Sequence, residues 1–329
     1  MSAFDPAAFQ LTRDGSLFYR PGAASRGSRF GILDESGKLG PSLTDPLAVY
    51  YPPQISPDGR RFAATATNAR GIDEIWILDY PQLTRRRLVS DPNADCGRPV
   101  WSPDEKQIAY YRTGRDERDG VYFADVAGGT PKRILRPESK AASYMPCAWL
   151  GQQLLLERQE GGHTQLARLE LQRGEADSSR LQPLLPSSFN EGELRASPDG
   201  RLIAFVSDES GEGHVVVARM SPDGAVSQPL EVKGISAVYG FWARDGKSIY
   251  IGDSHYIYYR VRVATAPQLA LSAPTKQFDF IRLGLDGCIP AADGRFLAGT
   301  LSDTNPEITS YDLVLGWSRI LAQKLKTAR

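Results

Sequence analysis

At 329 residues the chain has the length of two ordinary domains, yet all-β architectures routinely reach this size as one unit. Hydrophobic residues make up 41% of it and no run of 18 apolar residues occurs, so no membrane-spanning helix and no direct membrane insertion are expected. Lys plus Arg and Asp plus Glu number 39 each, which provides no global field toward nucleic acid or anionic lipid, so no nucleic-acid partner is expected.

Met1 to Gln10 carries Asp5 and Pro6 and lacks a basic start followed by an apolar stretch, so no secretory signal is read there and a cytoplasmic location is the default expectation. From there the chain repeats itself. A first unit near 8–44 carries Thr12-Arg13-Asp14-Gly15. A second, near 51–89, carries Ser56-Pro57-Asp58-Gly59-Arg60 before Phe62-Ala63-Ala64, then Glu74 to Asp79 and Arg85 to Val89. The third, near 98–135, opens on Ser102-Pro103-Asp104-Glu105-Lys106, and the fourth, near 144–185, has a shortened turn, Trp149-Leu150-Gly151-Gln152. The fifth, near 192–231, carries Ser197-Pro198-Asp199-Gly200-Arg201. The sixth, near 238–281, carries Ala243-Arg244-Asp245-Gly246-Lys247, and the seventh, near 286–315, carries Ala291-Ala292-Asp293-Gly294-Arg295.

Ser, Pro and Gly at the first, second and fourth positions suit a tight turn whose glycine takes positive φ and joins two strands as a hairpin. Glu105 stands at a glycine position, where a positive φ would strain it by about 1 kcal/mol. Four antiparallel strands per unit, repeated every 44 to 48 residues from turn to turn, describe propeller blades. The expectation is an all-β, seven-bladed β-propeller of four-stranded antiparallel blades forming a single domain, with six blades and an extra N-terminal unit as the alternative. Only three strands are recognisable in the last unit, near 286–290, 295–300 and 308–315, and Ala3 to Gln10 is a meagre donor of a closing strand. Ser221-Pro222-Asp223-Gly224 reads as a turn between third and fourth strands, not as another unit. Trp76, Trp101, Trp149 and Trp242 are expected to pack between blades. Trp317, Ile320, Leu321 and Leu325 recur at helical spacing and predict a short helix over 317–326.

These turns, with Asp73 to Asp79, Asp91-Pro92-Asn93-Ala94-Asp95, Pro99 to Asp104 and Asp312 to Trp317, resemble the TolB-like propeller family, and in particular the C-terminal propeller of bacterial membrane-bound serine/threonine protein kinases. The resemblance covers nearly the whole chain and is specific for fold. It implies a sensing role, and an extracytoplasmic location if the chain is an excised kinase domain. No kinase domain, TolB α/β domain or hydrolase domain is read within these 329 residues, so an excised domain and a free-standing relative are both expected possibilities.

Catalytic signatures are sparse. No Gly-x-Ser-x-Gly elbow occurs, and Gly252-Asp253-Ser254-His255 reads as a turn. His163, His214 and His255 fall on different blades. Cys96, Cys147 and Cys288 lie in or just before innermost strands and would hold a soft metal only if they converged, so small buried packing residues are the competing reading and no cofactor is expected. An odd count leaves at least one thiol free. Asp91 to Asp95 reads equally as a calcium loop or a capped turn.

Loops entering the innermost strands and loops between second and third strands share one face of a propeller. That face collects Arg98, Arg115, Arg118, Tyr144, Glu157, Arg158, Glu191, Glu193, Asp208, Tyr239 and Asp286, the candidate contacts for a partner. The charged loop from Arg112 to Asp119 is placed to reach one. The expected function is non-catalytic recognition of a protein or peptide by a monomeric propeller acting as sensor or scaffold. A metal-dependent, lactonase-like hydrolase and a purely architectural subunit are the alternatives.

Overall fold

Each Ser-Pro-Asp turn is closed by its own side chains. Ser56 Oγ donates to Asp58 at 2.6 Å and accepts from Arg61 N at 3.0 Å, while Gly59 N donates to Ser56 O at 2.9 Å. Ser102 with Asp104 and Gln107, and Ser197 with Asp199 and Leu202, repeat the arrangement. These serines are buried, and the hydroxyl satisfies the amide that re-enters the sheet. The fourth position is left-handed throughout: Gly59, Gly200, Gly246 and Gly294 have φ between 66° and 83°.

The computed structural model describes residues 9–11, 17–19, 28–40, 312–314 and 48–301, the last without 69, 81, 83, 115, 173, 174, 284, 292 and 293. Two units divide the chain, one of residues 1–27 with 302–329 and one of residues 28–301. In the smaller unit Leu17–Tyr19 lies between Phe9–Leu11 and Asp312–Val314 in an antiparallel sheet.

The larger unit holds six blades among the described residues. Blade I comprises Ala48–Ile55, Arg61–Thr67, Asp73–Asp79 and Arg85–Val89, from innermost to outermost. Blade II comprises Asp95–Trp101, Gln107–Thr113, Gly120–Asp125 and Lys132–Leu135. Blade III is Ser143–Leu150, Gln153–Glu160, His163–Gln172 and Glu175–Pro183. Blade IV is Glu191–Ala196, Leu202–Ser207, His214–Met220 and Val226–Glu231. Blade V is Ala237–Trp242, Ser248–Asp253, Ile257–Ala264 and Thr275–Asp279, with a short extra strand Ala270–Leu271 on its third strand. Blade VI is Leu285–Pro290, Phe296–Leu301 and Ser28–Leu33.

The expected seven-bladed ring is therefore a six-bladed one. The N-terminal unit near 8–44 is not a blade among the described residues: Phe9–Leu11 pairs with Leu17–Tyr19 in the smaller unit, Thr12 to Gly15 lie outside the described residues, and Ser28–Leu33 pairs antiparallel with Phe296–Leu301. The donor that completes the last blade is Ser28–Leu33 rather than Ala3 to Gln10, and Asp312–Val314 pairs with Leu17–Tyr19 instead of extending that blade. Joining the two ends of the ring inside one sheet removes an exposed strand edge. It also buries Leu33 completely beside Phe62 and Leu78 of blade I and Phe296 of blade VI. The proposed helix over 317–326 lies outside the described residues; among them the helical segment is one turn, Phe280–Leu283.

The core is radial, with apolar clusters filling the wedges between adjacent blades. Trp101 donates to Gln54 O of blade I at 3.1 Å, and Trp242 donates to Arg195 O of blade IV at 3.1 Å. Trp149 stacks on Phe123 of blade II with centroids 4.4 Å apart. Ser221 to Gly224 joins the third and fourth strands of blade IV, as its sequence context predicts.

Glu105 does take positive φ, at 59°. Its carboxylate compensates by accepting from Asp58 N at 2.7 Å and Arg61 Nη2 at 2.6 Å, tying the turn of blade II to that of blade I. Glu105→Gly is expected to be near neutral, because relief of about 1 kcal/mol of strain offsets a lost link of similar size. Glu105→Ala keeps the strain and loses the link, and should cost about 1 kcal/mol. Urea midpoints of the two variants check this; equal loss in both would show that the backbone there carries no strain.

Candidate functional site

The innermost strands of successive blades lie against one another, and that of blade VI returns to blade I, so six strands surround the axis. The register of each slips against its second strand: between Gly97 and Val100, Pro146 and Ala148, Gly192 and Arg195, Ala237 and Tyr239, Leu285 and Gly287, and twice in blade I. Bulges re-aim side chains out of the ladder. Here they recur around the axis and carry Arg98, Glu193, Val238 and Asp286. Arg98 and Glu193 have φ of 48° and 52°, a left-handed conformation uncommon for residues with a Cβ.

Three of the candidate residues meet. Arg98 Nη1 donates to Glu157 Oε2 at 2.7 Å, and Arg98 Nη2 donates to Glu193 Oε1 at 2.8 Å. Because Arg98 is on blade II, Glu157 on blade III and Glu193 on blade IV, this bridge runs along the axial side of blade III. Arg195, which the sequence reading did not single out, donates to Leu194 O at 2.8 Å and to Glu193 Oε2 at 3.3 Å, with its guanidinium over the Phe241 ring. The available signal was positional: Arg195 precedes its turn serine by two residues, where Val100 and Phe241 stand in blades II and V. The Cys147 thiol donates to Met145 O at 3.4 Å and to Glu157 Oε1 at 3.5 Å.

Exposure divides the cluster. The Glu157 side chain is 2% exposed and that of Arg98 13%, whereas Glu193 opens 33% of its side chain. Burial pushes the Glu193 carboxyl up, but the Arg98 and Arg195 guanidiniums outweigh it and hold the group below the usual carboxylate range. The site thus presents buried, mutually neutralised charge with one partly open carboxylate.

Most of the remaining candidates make other contacts. Tyr144 donates to Glu138 Oε2 at 2.8 Å, and Arg158 donates to Glu138 Oε1 at 2.6 and 2.8 Å. Burial and the Glu138 bond push the Tyr144 hydroxyl up to about 12. Both residues line a half-open cleft of about 380 Å³ with Gln165, Leu181, Pro183 and Leu185. Glu191 is buried, and burial with the nearby Glu209 and Asp208 raises its carboxyl. Asp208 accepts from Asn190 N at 2.8 Å and Nδ2 at 2.7 Å, bonds that hold it low. Tyr239 packs on Tyr258 and Phe241, and burial pushes its hydroxyl up to about 12. A Cβ at Gly252 would fall 2.5 Å from the Tyr239 ring, which is why glycine stands there. Asp286 lies on the innermost strand of blade VI, and Arg115 lies outside the described residues.

The charged loop from Arg112 is anchored. Arg112 is buried and donates to Asp91 at 2.9 Å, Asp116 at 2.8 Å and Asp119 at 3.1 Å, while Arg118 caps Asp116 at 2.9 Å. Asp91 also accepts from Asn93 N at 2.9 Å, so the Asp91 to Asp95 segment is a capped turn. Asp253 likewise accepts from His255 N and Ile257 N, both at 2.9 Å, making Gly252 to His255 a turn.

The cysteines do not converge. Cys96 packs between blades I and II, Cys147 between III and IV, and Cys288 in the cluster of blades V, VI and I. Burial, assisted by Asp91, pushes the Cys96 thiol up to about 12, and burial raises the other two. Neutral buried thiols are poor metal ligands. Among the described residues no group of three or more His, Cys, Asp or Glu is arranged to hold a metal ion.

A model of the TolB beta propeller domain matches residues 48–244. The chain belongs to the TolB β-propeller family. No curated protein is a significant match to its sequence. Among solved structures, a TolB-like protein from Agrobacterium tumefaciens is 15% identical, with a TM-score of 0.61, over 85% of this chain and 100% of that one. TolB from Acinetobacter baumannii is 17% identical, with a TM-score of 0.53, over 79% of this chain and 66% of that one. Oligogalacturonate lyase from Vibrio parahaemolyticus is 11% identical, with a TM-score of 0.53, over 90% of this chain and 96% of that one. At these identities the likeness is one of fold, shared by TolB proteins and by an enzyme.

Proposed function

We propose that this TolB-family propeller is a non-catalytic recognition module, a sensor or scaffold that binds a protein or peptide segment at the channel mouth. The observation that carries the reading is the pair of left-handed, charged residues Arg98 and Glu193 on axial bulges, joined across blade III. Strained backbone is maintained at ligand sites because the surrounding structure over-determines it. A rigid ring offering mixed charge suits a segment of chain bearing both polar and charged groups better than a uniformly anionic ligand. In this reading Arg118, Arg158 and Asp208 offer the accessible contacts, while the buried Tyr144 and Glu191 and the packed Tyr239 shape the surface from beneath.

Selection of displayed peptides on the immobilised protein, followed by titration of the enriched sequences, tests this. Arg195→Met should weaken them at least about tenfold, the equivalent of about 1.4 kcal/mol, while leaving the melting curve cooperative. Binding unaffected by Arg195→Met and by Asp286→Ala would place recognition away from the channel.

A further inference from the structure

Four charged groups meet at the axis, and they are not equivalent. Glu157 is enclosed, sits on a fully paired second strand and is held by Arg98 and Cys147. Arg98 is anchored through its own amide, which donates to Thr65 Oγ1 of blade I at 3.2 Å. Arg195 is anchored by Leu194 O and the Phe241 ring. Glu193 shares with Arg98 a place on a bulge and a left-handed backbone, but it is the most open of the four, with a third of its side chain exposed. It nevertheless serves both arginines, one with each carboxylate oxygen. Arg195 Nε is buried and has no hydrogen-bond acceptor among the described residues. A buried guanidinium edge left open is costly, and a planar carboxylate presented edge-on to Arg195 would satisfy Nε and one Nη together.

We propose that Glu193 is an internal stand-in for a ligand carboxylate, so that the channel site recognises an acidic side chain or chain-terminal carboxylate of a peptide by exchanging it for Glu193 on Arg195 and Arg98. The inference rests on the reading of the channel mouth as a recognition site and adds the chemical group that is read. The exchange conserves charge, since one carboxylate leaves the arginines as another arrives, and the released Glu193 faces solvent in the channel. It also sets a sign that a simple contact residue would not have. Deleting the Glu193 carboxylate should strengthen anion binding, because competition by a tethered group at high effective concentration is removed.

The test uses acetate as the probe and acetamide as its uncharged analogue, at fixed ionic strength, with the full chain. In Glu193→Ala, acetate should raise the melting temperature saturably by about 2 °C or more, and acetamide should not. Wild type should show less than half that rise, and Glu193→Ala/Arg195→Met should show none. Absence of an acetate-specific rise in Glu193→Ala, or the same rise in the double variant, overturns the proposal. Channel-binding peptides separate it from the parent reading. Weakening by Arg195→Met together with tighter binding to Glu193→Ala supports both, whereas weakening without that gain retains recognition and overturns the exchange.

Discussion

Arg98→Met is expected to destabilise the propeller by about 3–5 kcal/mol, because it leaves the enclosed Glu157 carboxylate without its guanidinium partner. The loss should be read from urea midpoints at constant m-value. Removing both charges in Arg98→Met/Glu157→Gln should recover much of it, since two neutral groups avoid the desolvation of an unmatched ion. A single-variant cost below about 1 kcal/mol would mean that the pair behaves as a solvated surface bridge. The acid limb of stability should change too. Glu193 is held below its unfolded value by Arg98 and Arg195 against the opposing effect of burial, so it contributes stability above about pH 4.3 that disappears as pH falls through its folded value. Arg98→Met weakens that hold, and melting curves between pH 3 and 7 should show a shallower decline on the acid side than in wild type.

The second large effect concerns the tryptophans that end innermost strands. Trp101→Ala should cost about 3–5 kcal/mol, because the ring fills the wedge between blades I and II against Ala63, Ile75 and Ile108. Trp101→Phe isolates the cross-blade hydrogen bond and strands Gln54 O, a loss of about 1–3 kcal/mol. Trp242→Phe should behave alike through Arg195 O. Trp149 provides the internal control. Its indole donates to Gly151 O in its own blade at 3.2 Å while its ring stacks on Phe123, so Trp149→Phe removes no bond between blades. Thermal unfolding of the three Phe variants should therefore rank Trp149→Phe as the mildest, and an equal ranking would deny the cross-blade bond any share in ring cohesion.

What the amino-acid order determined by itself is the local grammar. The Ser-Pro-Asp-Gly turns were legible because each is closed within six residues, by a serine hydroxyl, an aspartate and a left-handed fourth position that even Glu105 obeys. The antiparallel blade followed from that turn and from the spacing of the apolar strands around it. Strand order within a blade grouped Arg98, Glu157 and Glu193 only as an expected common face, and what the structure adds is their ion pairing. Ring closure was not legible. Phe9–Leu11, Leu17–Tyr19 and Ser28–Leu33 are all short and apolar enough to be a closing strand, and only the last one's pairing with Phe296–Leu301 and the burial of Leu33 against blade I select among them. Nor could the order of residues reveal that Arg98 reaches a carboxylate 95 positions away, or that Arg195 belongs beside it. Local hydrogen bonds define turns, whereas distances across the axis exist only once six wedges have packed to a common radius. The tertiary structure alone decided which charges meet.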